Sequence, residues 1–275
     1  MPATRLVIEP GRAERRYWRD LWRYRELFAV LAWRDVAVRY KQTVIGLAWV
    51  LLQPLATMLL LSVVFGRMAG MPSEGAAPYA LLVLAGLLPW QLFATALTGA
   101  GQSLVENATL IGKVYFPRLI VPTAAIVVAL VDFVVSLLLL AAAMAWYGYA
   151  PGWRILALPG LVVMAFLASL GPGLYLTALN ARYRDFRYVI PFLVQFGLYA
   201  SPVGFSSGVV PERWRLLYAL NPMVGVIDGF RWAILGEASA FDLSSFLVSW
   251  GMILFLLWRG IVRFRGMERT VADLL

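Results

Sequence analysis

The feature that most constrains this chain is a run without charge that directly follows a cluster of basic residues. From Val44 to Gly66 the sequence contains no charged residue, whereas Arg34, Arg39 and Lys41 stand just before it. About 20 predominantly apolar residues are needed to cross a hydrocarbon core of about 30 Å, and this run meets that requirement. The basic cluster therefore marks where a first membrane span begins.

The composition indicates that several more spans follow. Hydrophobic residues make up 61% of the 275 positions, charged residues make up 14%, and the mean hydropathy is +0.76. These values are too apolar for a water-soluble domain of this length. We predict an all-α, polytopic membrane protein.

The residue types that are missing restrict the chemistry of the chain. It contains no Cys and no His, which excludes disulfides and thiolate chemistry and removes the commonest metal ligand and the usual general base. We therefore predict no catalytic residue and no metal site. The net charge of +9 comes from basic residues that flank apolar spans, which favours anionic membrane lipid over nucleic acid as the partner.

The first 43 residues form a charged arm, in which an amphipathic helix is predicted from Tyr17 to Lys41. The apolar side of this helix follows the i, i+3, i+4 rule through Leu21, Tyr24, Phe28 and Leu31. Such a helix lies in the plane of the lipid headgroups, although a helix packed on a partner domain has the same pattern. Asp35 falls on the apolar side, and we expect it to pair with Arg39.

We predict six spans, at residues 44–66, 79–101, 119–146, 154–179, 188–206 and 243–262. Six spans leave both ends on one side, together with 19 of the 24 Lys and Arg residues. Those 19 are the ten within residues 1–43 and Lys113, Arg118, Arg182, Arg184, Arg187, Arg259, Arg263, Arg265 and Arg269. The positive-inside rule therefore predicts cytoplasmic termini, a cytoplasmic tail at 263–275, and a location in the cytoplasmic (inner) membrane.

Proline and glycine interrupt several of the predicted spans, most densely at Gly171, Pro172 and Gly173. Interruptions of this kind fit helices that move or line a cavity, and they fit equally well the tight packing of small residues. The sequence leaves both interpretations open.

The link between the second and third spans, GQSLVENATLIGKVYFPR, has the pattern of a short helix. Ser103 and Glu106 stand at capping-box spacing, and Pro117 ends the segment. A helix lying across the membrane face is one interpretation. The other is an ordinary turn that Lys113 and Arg118 tether to the headgroups.

Residues 206–242, between the last two spans, are too apolar for a simple external loop. Pro211 begins one amphipathic piece, whereas Asn221 and Pro222 begin another that Gly236 ends. Neither is long enough to cross the membrane. The resemblance to a known family, described next, implies that both are re-entrant external helices.

Four segments carry a resemblance to a known family: WRDVAVRYKQTVIGLAWVLLQP, ENATLIGKVYFPRLIVP, LNARYRDFRYVIPFLVQ and LNPMVGVIDGFRWAILG. In this order they resemble the transmembrane subunit of ABC exporters that move lipid-linked polysaccharides of the O-antigen and teichoic-acid type. The resemblance implies a homodimer of this subunit joined to a dimer of a separate ATPase. It also implies six helices per subunit, an interface helix before the first of them, and polyprenyl-linked polysaccharide as cargo.

The resemblance also implies roles for particular residues. The loop after the second span would be a coupling helix seated on the ATPase, through Glu106, Asn107, Leu110, Lys113, Tyr115, Phe116 and Pro117. The helix from Tyr17 to Lys41 would make a second contact. The chain has no G-x-x-x-x-G-K-[ST] phosphate loop, so it is expected to hold no cofactor, with ATP and magnesium bound by the partner.

Two further sets of residues are candidates for contact with the cargo. Arg34, Arg39 and Lys41 lie at the depth where an anionic pyrophosphate headgroup would be received, and guanidinium groups bind phosphate bidentately. An external gate or glycan path is predicted at Trp214, Tyr218, Phe230 and Trp232. These four rings fit an interfacial aromatic belt equally well.

Asp132 is an acid in the middle of the third predicted span. A carboxylate there costs about 2.5 to 3.5 kcal/mol on insertion scales unless it is partnered or protonated. One interpretation is functional: Asp132 is a proton-binding site or a polar residue on the path of the cargo. The other is structural: Asp132 accepts a hydrogen bond from a neighbouring helix. For the structural interpretation the expected partner is Gln53, Gln195 or Thr177.

Two other functions are consistent with parts of the sequence. An ABC permease for a drug or a simple lipid would have the same spans, but it gives no reason for the four polysaccharide-exporter segments. A membrane-embedded glycosyltransferase or acyltransferase would need a His or a clustered acid pair, and no D-x-D occurs.

Overall fold

The computed structural model describes residues 17–41, 46–75, 77–183, 185–236 and 241–268, of which 84% are helical and none is in a strand. The predicted all-α fold class is confirmed. Residues 1–16 of the predicted arm, the first two residues of the first span, Arg184 and the tail after Glu268 lie outside the described residues.

The chain forms eleven α-helices within the described ranges. They are α1 (Tyr17–Arg23), α2 (Arg25–Lys41), α3 (Gly46–Leu61), α4 (Tyr79–Glu106), α5 (Ala108–Lys113), α6 (Ile120–Trp146), α7 (Leu158–Arg182), α8 (Phe186–Ala200), α9 (Glu212–Tyr218), α10 (Pro222–Leu235) and α11 (Leu243–Glu268). A π-helix (Ser62–Met68) continues α3, a 3-10 turn (Trp153–Ala157) precedes α7, and another (Ser207–Val209) precedes α9.

Five helical segments in the described part are long and apolar enough to cross a membrane: Ala48–Met68, Tyr79–Glu106, Ile120–Trp146, Trp153–Arg182 and Leu243–Glu268. They correspond to the first four predicted spans and the last one. The fifth predicted span, 188–206, is only partly helical, because α8 ends at Ala200 after 15 residues. Helix length alone therefore does not confirm six spans.

The segment that contains α8 nevertheless runs antiparallel along most of α4. Neighbouring pairs along the two segments are, in order, Ile190 with Gly101, Gly197 with Trp90, Val203 with Gly86, and Gly204 with Tyr79. The stretch of α4 from Tyr79 to Gly101 rises about 33 Å, which is close to the thickness of a hydrocarbon core. This geometry supports a sixth crossing made of a short helix followed by extended chain.

Helix α4 is the centre of the core and packs on α6, α7 and α10. Its first half is buried on every side, from Leu81 to Leu88. The sequence of this half, LLVLAGLL, has no polar stripe, and a helix that is apolar all round is stable only when neighbours surround it. The spans of the other helices are arranged around this one.

Helices α7 and α11 cross at two glycines. A side chain at Gly260 would place its Cβ 2.1 Å from the carbonyl oxygen of Gly171, and one at Gly171 would lie 2.6 Å from the backbone nitrogen of Leu257. The backbones are therefore in contact, which small residues permit. At this crossing the glycines serve tight packing, which is one of the two interpretations that the sequence leaves open.

The external helices begin and end where the sequence predicts. Pro211 directly precedes α9, and the side chain of Asn221 accepts a hydrogen bond of 3.0 Å from the backbone N–H of Met223 at the start of α10. Gly236 ends α10 with a φ of 75°, which glycine adopts without strain. All but two of the 14 residues of α10 are buried, so this helix belongs to the core.

Helix α2 packs against the first half of α6. The apolar residues of the predicted pattern face the protein itself: Leu31 is buried, whereas Leu21, Tyr24 and Phe28 are partly buried against the same cluster. Its last turn reaches Asp132, about 18 Å along α6 from Ile120. Helix α2 thus follows α6 lengthwise, whereas the sequence predicts a helix in the headgroup plane.

Candidate functional site

The junction between α4 and α5 forms the first part of the candidate site. Helix α4 continues through Glu106, and Asn107 is the single residue between the two helices. Ser103 lies inside α4, where its hydroxyl donates to the carbonyl of Ala100 at 2.7 Å. The predicted capping box is therefore wrong, because the helix that it was meant to begin starts only after Asn107.

The seven predicted coupling residues divide by exposure. Glu106, Lys113 and Tyr115 are exposed, Asn107 and Leu110 are half-buried, and Phe116 and Pro117 are buried. The Phe116 ring belongs to the same apolar cluster as Leu31 of α2 and Phe264 of α11. The buried residues fix the loop to the protein, and the exposed ones form a surface that a partner can contact.

A direct hydrogen bond joins α2 to this junction. The guanidinium of Arg34 donates to the side-chain oxygen of Asn107 at 2.8 Å and also to Asp35 at 2.7 Å. Asp35, which the sequence predicts to pair with Arg39, is paired with its neighbour Arg34. Asn107 in turn donates to the carbonyl of Ser103 at 2.9 Å. The two elements predicted to face an ATPase are therefore connected to each other.

Asp132 joins α2 to the transmembrane core. One of its carboxylate oxygens accepts from the hydroxyl of Tyr40, and the other pairs with the guanidinium of Arg39, both at 2.5 Å. Burial, and next the hydrogen bond to Asp132, raise the pKa of Tyr40. The expected partners Gln53, Gln195 and Thr177 are wrong; Thr177 donates to the carbonyls of Ala100 and Gly173.

The residues predicted to receive a headgroup are thus not equivalent. Arg34 and Arg39 each bind protein partners. Lys41 is exposed at the last residue of α2.

The four aromatic residues predicted at the external gate do not share one surface. Trp214 is 51% exposed, whereas Phe230 is 1% exposed and packs edge-on against Phe133. Trp232 packs on Phe241 and is covered by the guanidinium of Arg154. Tyr218 is half-buried. In this conformation the ring of Phe230 is part of the core.

A buried polar network, which the sequence analysis missed, joins α10 to the end of the α8 segment. Arg231 is fully buried and donates to the carbonyls of Leu82 at 3.3 Å, Phe205 at 2.8 Å and Val203 at 3.1 Å. Unsatisfied backbone carbonyls at membrane depth cost several kcal/mol each, so extended chain there needs such donors. Arg231 supplies them where α8 has ended.

Carboxylates on two sides complete the network around Arg231. Glu74 lies 4.0 Å from its guanidinium and accepts from the hydroxyl of Ser206 at 2.5 Å. Asp228, one turn before Arg231, accepts from the hydroxyl of Ser207 at 2.6 Å. Burial raises the pKa of Asp228 to about 7, although Arg231 and Ser207 act in the opposite direction. An acid and a base one turn apart in an otherwise apolar helix are the signal by which the sequence could have indicated this site.

These features define a multi-pass membrane protein in which α2 is tied to the transmembrane core and α10 is packed into that core. A family model described as ABC-2 type transporter matches residues 26–235. This range covers most of the chain, from α2 through α10, and the protein belongs to this family. The family membership confirms the resemblance carried by the four sequence segments.

Curated relatives match nearly the full length of the chain. An O-antigen export system permease protein RfbA of Myxococcus xanthus is 28% identical over 258 residues, which are 93% of this chain and 97% of the relative. Two proteins of the same name from Klebsiella pneumoniae are 25% and 23% identical, each over 91% of this chain and 95% of the relative.

Proposed function

We propose that this protein is the transmembrane subunit of an ABC exporter that moves a lipid-linked polysaccharide of the O-antigen type across the cytoplasmic membrane. The observation that carries this proposal is full-length similarity to three O-antigen export permeases. A drug or simple-lipid permease of the same family has no comparable support.

A separate ATPase subunit, present as a dimer, would supply the energy. This chain lacks the phosphate-loop motif, so ATP and magnesium would be bound by that partner. The exposed side chains of Glu106, Lys113 and Tyr115 offer the partner a charged and aromatic surface. Helix α5 directly follows α4, so a push on this surface would reach the centre of the core as a rigid-body movement.

The bonds of α2 would pass the same movement to a second transmembrane helix. Arg34 ties α2 to Asn107 beside the coupling helix, and Arg39 with Tyr40 ties its other end to Asp132 in α6. Helices α4 and α6 would then respond together to the ATPase.

We infer that the exporter contains two copies of this chain. Helix α8 presents a row of rings that are each more than 60% exposed, at Tyr188, Phe192, Phe196 and Tyr199. Their spacing places them on one side of the helix, next to one another. Aromatic faces pack well against apolar helices and against the C–H groups of sugars, so this row suits a dimer interface or the wall of a glycan path.

The anionic headgroup of a polyprenyl pyrophosphate would approach the exposed end of α2. Lys41 is an exposed cation there, whereas Arg34 and Arg39 already bind protein partners. Contributions of about 1 kcal/mol per basic residue are expected for such surface contacts.

Reconstitution with the ATPase subunit in lipid vesicles tests the proposal. We expect no ATP hydrolysis by this chain alone, and we expect hydrolysis by the complex to rise when lipid-linked polysaccharide is added. The same lipid carrier without the polysaccharide is the control. Equal stimulation by carrier alone or by simple lipids would favour the drug or lipid permease, and hydrolysis by the purified chain would contradict the permease assignment itself.

A further inference from the structure

A cavity of about 500 Å³ lies between α4, α7, α8, α10 and α11. Its wall is largely apolar, with Trp90, Phe93, Leu176, Leu193 and Phe255 from four of these helices. Its size falls within the range of about 300 to 1,000 Å³ that is typical of ligand sites. An apolar space of this size favours a hydrocarbon chain over a sugar.

The cavity has one charged residue in its wall, Arg259 of α11. This residue lies nine positions before the end of the helix at Glu268, which is about 13 Å from that end. The eight residues before it, from Gly251 to Trp258, are uncharged. Arg259 therefore lies inside the span, in the half of α11 that ends at Glu268. Its long side chain can extend further toward that end and reach a phosphate there.

Arg259 differs from the other arginines that lie beside the core. Arg231 donates to three carbonyls and Arg39 pairs with Asp132. Arg259 is exposed, and it makes no hydrogen bond or ion pair with any residue of the described ranges. A cation at this depth is costly unless an anion neutralises it, so the expected ligand carries a negative charge beside the apolar cavity.

A second copy of this chain is a poor source of that charge. Within α3, α7 and α8 the sequence contains no acid, and α6 contains only Asp132, which already binds Arg39 and Tyr40. The acids of α4 and α11 stand at their cytoplasmic ends, Glu106 and Glu268. These helices of a second copy therefore offer Arg259 no free carboxylate within the span, which favours a membrane lipid as the source of the anion.

We propose that this cavity is a binding site for an anionic phospholipid, with one acyl chain lying between the helices and the phosphate paired with Arg259. Guanidinium groups bind phosphate through paired hydrogen bonds, and burial of the chain contributes the hydrophobic part of the affinity. In this proposal the occupant is a resident membrane lipid and not the exported cargo. The lipid fills the space between α8 and the core and so supports the packing of a helix that is too short to span by itself.

Native mass spectrometry of the purified protein tests the site, with phosphatidylglycerol and phosphatidylcholine of identical acyl chains as probes. We expect one tightly held phosphatidylglycerol per chain and weaker retention of phosphatidylcholine. Arg259→Gln should weaken phosphatidylglycerol binding by about 3-fold to 10-fold. Phosphatidylcholine binding should weaken less, because the choline ammonium of that lipid already offsets the charge of its phosphate. The matched control is Arg263→Gln, which removes the same charge from an exposed position one turn further along α11, outside the cavity wall.

A second pair of variants tests the acyl chain. Leu193→Trp fills the cavity and should reduce the binding of both lipids, whereas Phe192→Trp, at an exposed neighbouring position, should not. Equal binding of phosphatidylglycerol by Arg259→Gln and the unsubstituted protein would overturn the proposal. Displacement of the phospholipid by polyprenyl phosphate at equal concentration would also overturn it, because the site would then belong to the cargo. Disulfide formation between two copies through a cysteine at Leu193 would overturn it in favour of a dimer contact.

Discussion

At the scale of single residues, the arrangement depends on a few positions that tolerate no change of size or charge. Gly171 and Gly260 let two helix backbones touch, and Arg231 satisfies three carbonyls where a helix has ended. The glycine and proline cluster is evident in the sequence, but the sequence does not specify which glycine contacts which helix. The partners of Arg231 are 26, 28 and 149 positions away in the chain, so local patterns carry no information about them.

Adding one methyl group at the crossing of α7 and α11 should destabilise the protein. In Gly260→Ala the new Cβ would meet the carbonyl of Gly171, and overpacking of this kind costs about 1 to 3 kcal/mol. Measurement of the fraction that remains monodisperse after heating should reveal a clear loss. Gly251→Ala, on the same helix, is the matched control, since a Cβ at Gly251 would meet no atom within 4 Å. An equal loss of stability in this variant would contradict the packing argument.

The buried carboxyl of Asp228 should make stability depend on pH. Its pKa is about 7 in the folded protein, above the ordinary value near 4, so the folded state holds the proton between these values. The contribution of Asp228 to stability should therefore fall as the pH rises from about 4 to about 7 and stay level above that. Thermal stability measured at pH 5 and pH 8 should differ less in Asp228→Asn than in the unsubstituted protein.

Asp242→Asn is the control for this titration. Hydrogen bonds from Ser245 hold the pKa of Asp242 below its usual range, so its contribution has the opposite dependence on pH. The Asp242→Asn variant should keep the fall in stability between pH 5 and pH 8. If both variants behave alike, the fall does not come from Asp228.

At the scale of helices, prediction from the sequence is good where periodicity and length decide the outcome. The starts predicted at 79, 119 and 243 agree with Tyr79, Ile120 and Leu243 to within one residue. The helix ends are less accurate, because α4 and α11 continue past the apolar run to Glu106 and Glu268. Those extra turns are held by tertiary packing, such as that of Phe264 in the cytoplasmic cluster, which composition alone does not reveal.

The bond between Arg39 and Asp132 allows the structural role of the basic cluster to be separated from a role in binding cargo. Arg39→Gln leaves the buried carboxylate of Asp132 with one partner fewer and should lower stability, whereas Arg39→Gln combined with Asp132→Asn should recover most of it. Thermal stability and export activity are measured on both variants and on Arg23→Gln, an exposed control on α1. Recovery of stability without recovery of export would indicate that Arg39 contacts the cargo headgroup.

At the scale of the whole molecule, the fold class and the family could be predicted from the sequence, but the number of crossings could not be settled by length. The sequence predicts a full span for the α8 segment because its apolar run extends to Phe205. In the structure only the first part of this segment is helical. The remaining backbone carbonyls, between Ala200 and Phe205, accept hydrogen bonds from the side chains of Arg231, Tyr79 and Asn221. An apolar run indicates burial in the membrane. It does not distinguish a helix from an extended chain whose backbone carbonyls accept hydrogen bonds from distant side chains.

Labelling of single cysteines should decide the topology, because the native chain contains no cysteine. With six crossings and cytoplasmic termini, cysteines at Gly75, Trp153 and Gly208 should react with a membrane-impermeant reagent from outside. A cysteine at Gly112 should react only after the membrane is opened. All four positions are exposed. Protection of Gly208 together with labelling of Gly75 and Trp153 would mean that the α8 segment does not cross.

The attachment of Arg231 has a consequence for how tightly the resting protein is sealed. One side chain holds Leu82 of α4 and both Val203 and Phe205 of the extended segment, so displacement of α10 breaks these contacts together. A small displacement then loses nearly as much free energy as a large one, and partly displaced states are scarcely populated. We therefore expect this face of the protein to behave as a latch with two positions, closed while Arg231 keeps its three carbonyls and open when all three are released together.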